Sequence, residues 1–224
     1  MKIKILHEDN HLLIVEKPVN IPVQEDRSKD EDLLTILKAD IKKRYNKPGN
    51  VYLSIVHRLD RPVGGAIVFA KTSKAASRLS DQLRRRAIGR TYLAVVRGKV
   101  KQTKGRLTDF LLKDERKNKV SVVSEGTKGA KKAILDYEVL AKKQDLSLVK
   151  VRLQTGRPHQ IRVQLQALGH PLYGDQKYGQ KVNKVGEQIA LWAYELSLIH
   201  PTTKEEVLVH SKPPTEFPWT EWRI

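Results

Sequence analysis

The sequence predicts an α+β fold on a mostly antiparallel β-sheet, because apolar runs of strand length are many while helix-like segments are few and scattered among them. No Pro-, Gly- or Ser-rich linker divides the chain and no repeat is visible. A single domain over residues 1–224 is therefore expected, and that length is ample for a sizeable core.

Ile3 to Val15 alternates as a strand, turns at Glu8-Asp9-Asn10 and resumes in the apolar run Leu12-Leu13-Ile14-Val15. Lys17-Pro18 and Ile21-Pro22 punctuate an extended loop. Asp30 to Arg44 predicts a helix with Leu33, Leu34, Leu37 and Ile41 on one face. Val51 to Val56 predicts a strand that runs straight into His57-Arg58-Leu59-Asp60, and Ala66 to Ala70 a buried strand after a glycine turn. Ser73 to Ala87 has the spacing of an amphipathic helix. Its inner stripe is Ala76, Leu79, Leu83 and Ala87, with Arg78, Arg84, Arg85 and Arg86 mostly outside it.

Thr91 to Val96 follows as a strand. Lys99 to Gly129 is basic, dotted with glycine and weakly periodic, which predicts short strands joined by mobile loops. Ala133 to Ala141 and Leu146 to Leu153 predict a hairpin. Pro158 suits the first turn of a helix that Gly169 closes, with Ile161, Leu165 and Leu168 inward. Leu191 to His200 and Glu206 to Val209 supply two late strands.

The chain carries 43 Lys and Arg against 25 Asp and Glu, a net charge of +18. Such an excess draws in polyanions and gains from counterion release on a phosphate backbone. An acidic membrane would use the same charge, but no basic amphipathic helix with a bulky apolar face is present. Nucleic acid is the expected partner. No stretch approaches a membrane span, and Met1-Lys2-Ile3-Lys4-Ile5 is no signal-peptide h-region, so the cytoplasm is the expected location. The absence of cysteine excludes disulfides, thiolate metal sites and thiol catalysis. His57, His159, His170 and His200 stand far apart in the chain, and neither a metal nor a cofactor is expected. A monomer is the default expectation.

Four segments carry candidate chemistry. In His57-Arg58-Leu59-Asp60-Arg61-Pro62-Val63-Gly64-Gly65, Asp60 stands between two arginines, and nearby positive charge favours its ionised form. Pro62 and the paired glycines leave little bulk after it, so a substrate could approach closely. On spacing alone, the commoner use of such an aspartate is an ion pair that stabilises a turn. A kinase catalytic loop is excluded, because the order is not His-Arg-Asp and no Asp-Phe-Gly follows. Tyr92, in Arg90-Thr91-Tyr92-Leu93-Ala94-Val95, is of a type that stacks on a base, though a half-buried sheet tyrosine is commoner. In Thr155-Gly156-Arg157-Pro158-His159-Gln160-Ile161-Arg162, the amides of Thr155 and Gly156 are candidates for holding a phosphate at a helix start, with Arg162 one turn in. The fourth, His170-Pro171-Leu172-Tyr173-Gly174-Asp175 with Tyr178-Gly179, is assigned a structural role.

These four segments in this order, with Ile5 to Pro18 before them, resemble the RluA family of RNA pseudouridine synthases over residues 5–210 or so. The His-Arg-Leu-Asp and Thr-Gly-Arg-x-His-Gln-Ile-Arg motifs are each weak alone and highly specific together. The resemblance implies the pseudouridine synthase fold, a bent, mostly antiparallel sheet with flanking helices and a central catalytic cleft. It implies a cofactor-free isomerase acting on uridines in ribosomal RNA or tRNA, with Asp60 as the catalytic aspartate. It further implies that Arg58 enters the RNA stack as the target base leaves, that Tyr92 stacks on the flipped base, and that Arg162 pairs with Asp60. Arg61, Arg84, Arg85, Arg86, Arg157 and His159 are the remaining candidate RNA contacts. Many relatives carry an N-terminal S4 domain, which is not expected here. Two other readings use the same charge: a non-catalytic RNA binder of this fold, and a structural ribosome-associated protein. Mere binding, however, has no need of a carboxylate in the groove of an anionic substrate, and the basic residues are dispersed through core-forming segments instead of forming tails.

Overall fold

A strand covered on both faces needs apolar side chains at every position instead of every second one. The first four residues of strand β2 (Leu12–Lys17) and the whole of β4 (Gly64–Ala70) meet that demand. Leu12, Leu13, Ile14 and Val15 are all fully buried, and so is every residue of β4. The computed structural model describes residues 2–26 and 28–223, with eleven strands and three α-helices among them. The chain divides into two compact units, Met1–Arg90 with Ala193–Lys212 and Thr91–Trp192 with Pro213–Ile224.

In the first unit, β1 (Lys4–Glu8) and β2 form a hairpin, and β2 pairs antiparallel with β4 from Leu12 opposite Ala70 to Lys17 opposite Gly65. The strand expected over residues 51–56 is shorter: β3 is only Ser54–Ile55, paired with Ala70 and Phe69. Helix α1 (Leu33–Arg44) buries Leu33, Leu37 and Ile41. It starts three residues later than expected because Asp32 is extended and caps it, accepting from the Thr35 amide at 3.0 Å.

Helix α2 (Ser73–Arg84) is capped by Thr72 and stops short of Ala87. Arg86 takes a left-handed conformation at φ 60°, which turns the chain and leaves Ala87 exposed. Its expected place on the inner face goes to Gln82, whose amide bonds both the carbonyl and the N–H of Ile199 at 2.7 and 3.0 Å. Ile199 ends strand β10 (Leu191–Ile199), which pairs through Glu195–Ile199 with β11 (Glu206–His210). Ala75 and Leu79 of α2 pack with Leu12, Ile14, Val68, Leu196 and Leu198 in one core.

In the second unit, five antiparallel strands run in the order β5 (Gly89–Arg97), β9 (Leu146–Leu153), β8 (Lys131–Lys143), β6 (Lys104–Asp114), β7 (Lys119–Val123). The β8–β9 hairpin is as expected. The basic stretch from Lys99 is not: β6 is a single strand of 11 residues, paired with β8 from Lys104 to Leu111. Its periodicity is masked because Asp109 interrupts the apolar positions, and the Gln164 side chain satisfies that carboxylate at 2.6 Å. Helix α3 (Gln160–Ala167) begins two residues after Pro158 and is closed by Gly169. Its Val163 packs on Leu111, Val120 and Ala133 of the sheet.

Candidate active site

Asp60 is half-buried in the loop between β3 and β4, between the buried side chains of Leu59 and Val63. The Val63 amide donates to its carbonyl at 2.9 Å and closes a turn through Arg61 and Pro62. That turn is held by Lys17, the last residue of β2, which has no exposed surface. Its Nζ donates to the carbonyls of Pro18 at 2.8 Å and Arg61 at 3.0 Å. Burial pulls the Lys17 pKa down to about 7, the Asp60 charge opposing the fall and the Arg61 charge adding to it. Sequence reasoning takes Lys17-Pro18 as loop punctuation and misses this lysine. The available signal is a lysine continuing a strand that opens on the unbroken apolar run Leu12–Val15.

Gly65 makes room for protein backbone. A Cβ on Gly65 would lie 2.3 Å from the Ala193 carbonyl oxygen, so the close approach expected of a substrate is made at this position by β10. His57 is a core residue: its Nε2 accepts from the Val68 amide at 3.4 Å. Burial, and after it the charge of Arg90, hold the His57 pKa down to about 3, so the ring is neutral.

The arginines divide by what occupies them. The Arg58 side chain is exposed and makes no hydrogen bond or ion pair among the described residues. Arg61, expected to meet RNA, is exposed and is engaged with the 20–30 loop. It donates to the Asn20 carbonyl at 3.1 Å and the Ser28 hydroxyl at 2.9 Å, and it pairs with Asp30. Arg84 and Arg85 share Asp81 while remaining largely exposed, and Arg86 is exposed beside them. Arg157 is half-buried and donates from Nε to the Lys132 carbonyl at 3.0 Å.

In the second unit, Tyr92 lies in the middle of β5 opposite Val151, with 6% exposure. Of the two amides expected to hold a phosphate before α3, that of Thr155 is bonded to the Ile134 carbonyl at 3.2 Å. The Thr155 hydroxyl accepts from the Ile134 amide and donates to Gln160 Oε1, which also accepts the Arg157 amide at 3.0 Å. His159 Nδ1 meets the Tyr178 hydroxyl at 2.7 Å. Arg162 is buried and forms a two-pronged pair with Asp175, Nε to Oδ2 at 2.8 Å and Nη2 to Oδ1 at 2.9 Å. Burial would raise the Asp175 pKa, but Arg162 and the amides of Lys177 and Tyr178 together bring it below the usual carboxylate value. Sequence reasoning gives Asp175 only a place in a structural loop, and nothing local in the sequence marks its partner.

His7 and His200 both meet Asp9 Oδ2, at 2.9 and 3.1 Å, yet no group of three His, Cys, Asp or Glu among the described residues could hold a metal ion. No helix of the described residues is long and apolar enough to cross a membrane.

Residues 11–167 match the family model described as RNA pseudouridylate synthase. The chain belongs to the RNA pseudouridine synthases of the RluA family. It is 37% identical over 219 residues to the uncharacterized RNA pseudouridine synthase YhcT of Bacillus subtilis, covering 96% of this chain and 70% of that one. It is 33% identical to ribosomal large subunit pseudouridine synthase D of Pseudomonas aeruginosa, covering 98% and 71%. The solved human RNA pseudouridylate synthase domain containing 4 shares the fold, with a TM-score of 0.80 at 24% identity over 94% of this chain and 88% of that one. The synthase is thus an isomerase of RNA uridines. The matched span contains Asp60, Tyr92 and Arg162 and ends before Asp175.

Proposed function

We propose that the synthase isomerises specific uridines in structured RNA by base flipping and aspartate catalysis, with Asp60 as the catalytic carboxylate and Arg162 and Tyr92 acting with it. The supporting observation is local. Each of the three side chains sits on a fixed part of its unit: Asp60 on the turn held by Lys17, Tyr92 within β5, and Arg162 in its pair with Asp175. Arg58, exposed and without a side-chain partner among the described residues, suits the space that the departing base leaves.

The reaction breaks the bond from C1′ to N1, turns the uracil and joins C1′ to C5, after which the C5 proton leaves. Nothing is oxidised and no group is gained. Taking the base out of its stack costs a few kcal/mol, less in a loop or mismatch. Arg58 in the gap and Tyr92 against the base would offset that cost. The Asp60 carboxylate either attacks C1′ or removes a proton from C2′, and both routes need it ionised. A hydrogen bond from Arg162 favours that form.

Large-subunit ribosomal RNA is the first substrate to test, because the Pseudomonas relative carries that target in its name. Mapping pseudouridines in total RNA from cells with and without the gene decides the matter. Loss of sites in large-subunit RNA supports this target, loss in tRNA replaces it, and no loss in any RNA contradicts the reading.

A further inference from the structure

Arg162 and Asp175 have only 6% and 1% exposure, so their geometry is set by protein and not by water. A guanidinium is planar, and its Nε–H and one Nη–H form an edge that matches both oxygens of one carboxylate. With that edge engaged at 2.8 and 2.9 Å, both the plane of the group and its rotation within the plane are fixed. The direction of the third nitrogen, Nη1, is fixed with them. The Tyr178 ring adds a second restraint, its centroid 5.1 Å from the Arg162 Cζ.

Each restraint is itself anchored. Asp175 Oδ1 accepts the amides of Lys177 at 2.9 Å and Tyr178 at 3.1 Å. The Tyr178 hydroxyl accepts the Val120 amide at 2.9 Å and meets His159 Nδ1 at 2.7 Å. The hydroxyl is thus held from two sides, by a backbone amide and by an imidazole nitrogen.

We propose that Asp175 and Tyr178 are positioning residues of the synthase, holding Arg162 so that Nη1 meets the catalytic carboxylate in one orientation. The inference rests on the reading of Arg162 as the partner of Asp60. Stability alone is a poor reason for this arrangement, since a buried ion pair often contributes no more than apolar side chains of the same volume. The charges of Asp175 and Arg162 also largely cancel. What Arg162 offers a second carboxylate is therefore a directed hydrogen bond more than a net charge, and direction is what the clamp supplies.

The test follows tritium release from RNA labelled at uracil C5, together with the Arg162 Nε–H resonance of the nitrogen-15-labelled full chain, identified by its loss in Arg162→Lys. Asp175→Asn is expected to lower the maximal rate on the order of a hundred-fold, as misplacement by about an ångström does. RNA affinity should change no more than a few-fold, and the Arg162 resonance should broaden or exchange quickly with water. In the Arg162→Lys background the same substitution should add little. An unchanged resonance, an unchanged maximal rate or fully additive losses would overturn the inference alone. Wild-type turnover by Arg162→Lys would overturn the reading beneath it as well. Should Asp175→Asn fail to fold, Tyr178→Phe decides. A several-fold loss in maximal rate that vanishes in the Arg162→Lys background supports the clamp, and an additive loss or none overturns it.

Discussion

The Lys17 ammonium nitrogen donates to the Arg61 carbonyl at 3.0 Å, so a charge with no exposed surface holds the residue that follows Asp60. A folded-state pKa of about 7, well below the ordinary lysine value, makes this interaction pH-dependent. The sign follows from linkage. Below about pH 7 both folded and unfolded chains carry the proton, and the folded chain bears the full cost of the buried ammonium. Between pH 7 and the ordinary lysine range only the unfolded chain keeps it, so the Lys17 contribution becomes more favourable as pH rises. Lys17→Met removes this dependence along with both hydrogen bonds, a loss of about 1–3 kcal/mol on the alkaline side. Thermal unfolding at pH 6 and pH 9 should show the wild type gaining on the variant at the higher pH, and a pH-independent gap would contradict this account.

Asp60→Asn should lower tritium release from RNA labelled at uracil C5 on the order of a thousand-fold or more. RNA affinity should stay within a few-fold, because a carboxylate contributes nothing attractive to a polyanion. Normal release by the variant would remove Asp60 from the mechanism.

Arg84, Arg85 and Arg86 stand exposed with one carboxylate, Asp81, among them, leaving a local charge of two. Replacing all three with glutamine should weaken binding similarly for every RNA. The slope of log affinity against log salt should flatten by about 2, one for each uncompensated positive charge withdrawn from a phosphate. Filter binding across a salt series measures both effects, and a weakening confined to one RNA sequence would contradict a phosphate role.

How far the sequence could be read depended on whether the controlling partner was near in the chain. The strands containing Leu12–Val15 and Ala66–Ala70 were plain, because covering on both faces forces unbroken apolar runs. The pattern in β6 was hidden, because the acid at Asp109 is satisfied by Gln164, 55 residues away. The site divides in the same way. The proposal of Asp60, Tyr92 and Arg162 rests on motifs, whereas the partner of Arg61 at Asp30 and that of Lys17 at Arg61 are set by chain packing across 31 and 44 residues. Asp175 lies only 13 residues from Arg162, yet its local turn would look the same without that arginine.

Gly65 offers the sharpest check that the loop after Asp60 is shaped by the protein and not by its substrate. Its φ of 113° is unfavourable for any side chain, and an added methyl would lie 2.3 Å from the Ala193 carbonyl oxygen, a backbone atom that cannot rotate away. Gly126 has a comparable φ of 87° but open space around its missing Cβ. Backbone strain alone costs about 1 kcal/mol in such a substitution. Gly126→Ala should therefore lose about that much stability in urea, and Gly65→Ala about 3 kcal/mol or more, as strand β4 is pushed from its place. If the two variants lost equal stability, the close approach of Ala193 would not be what requires glycine at residue 65.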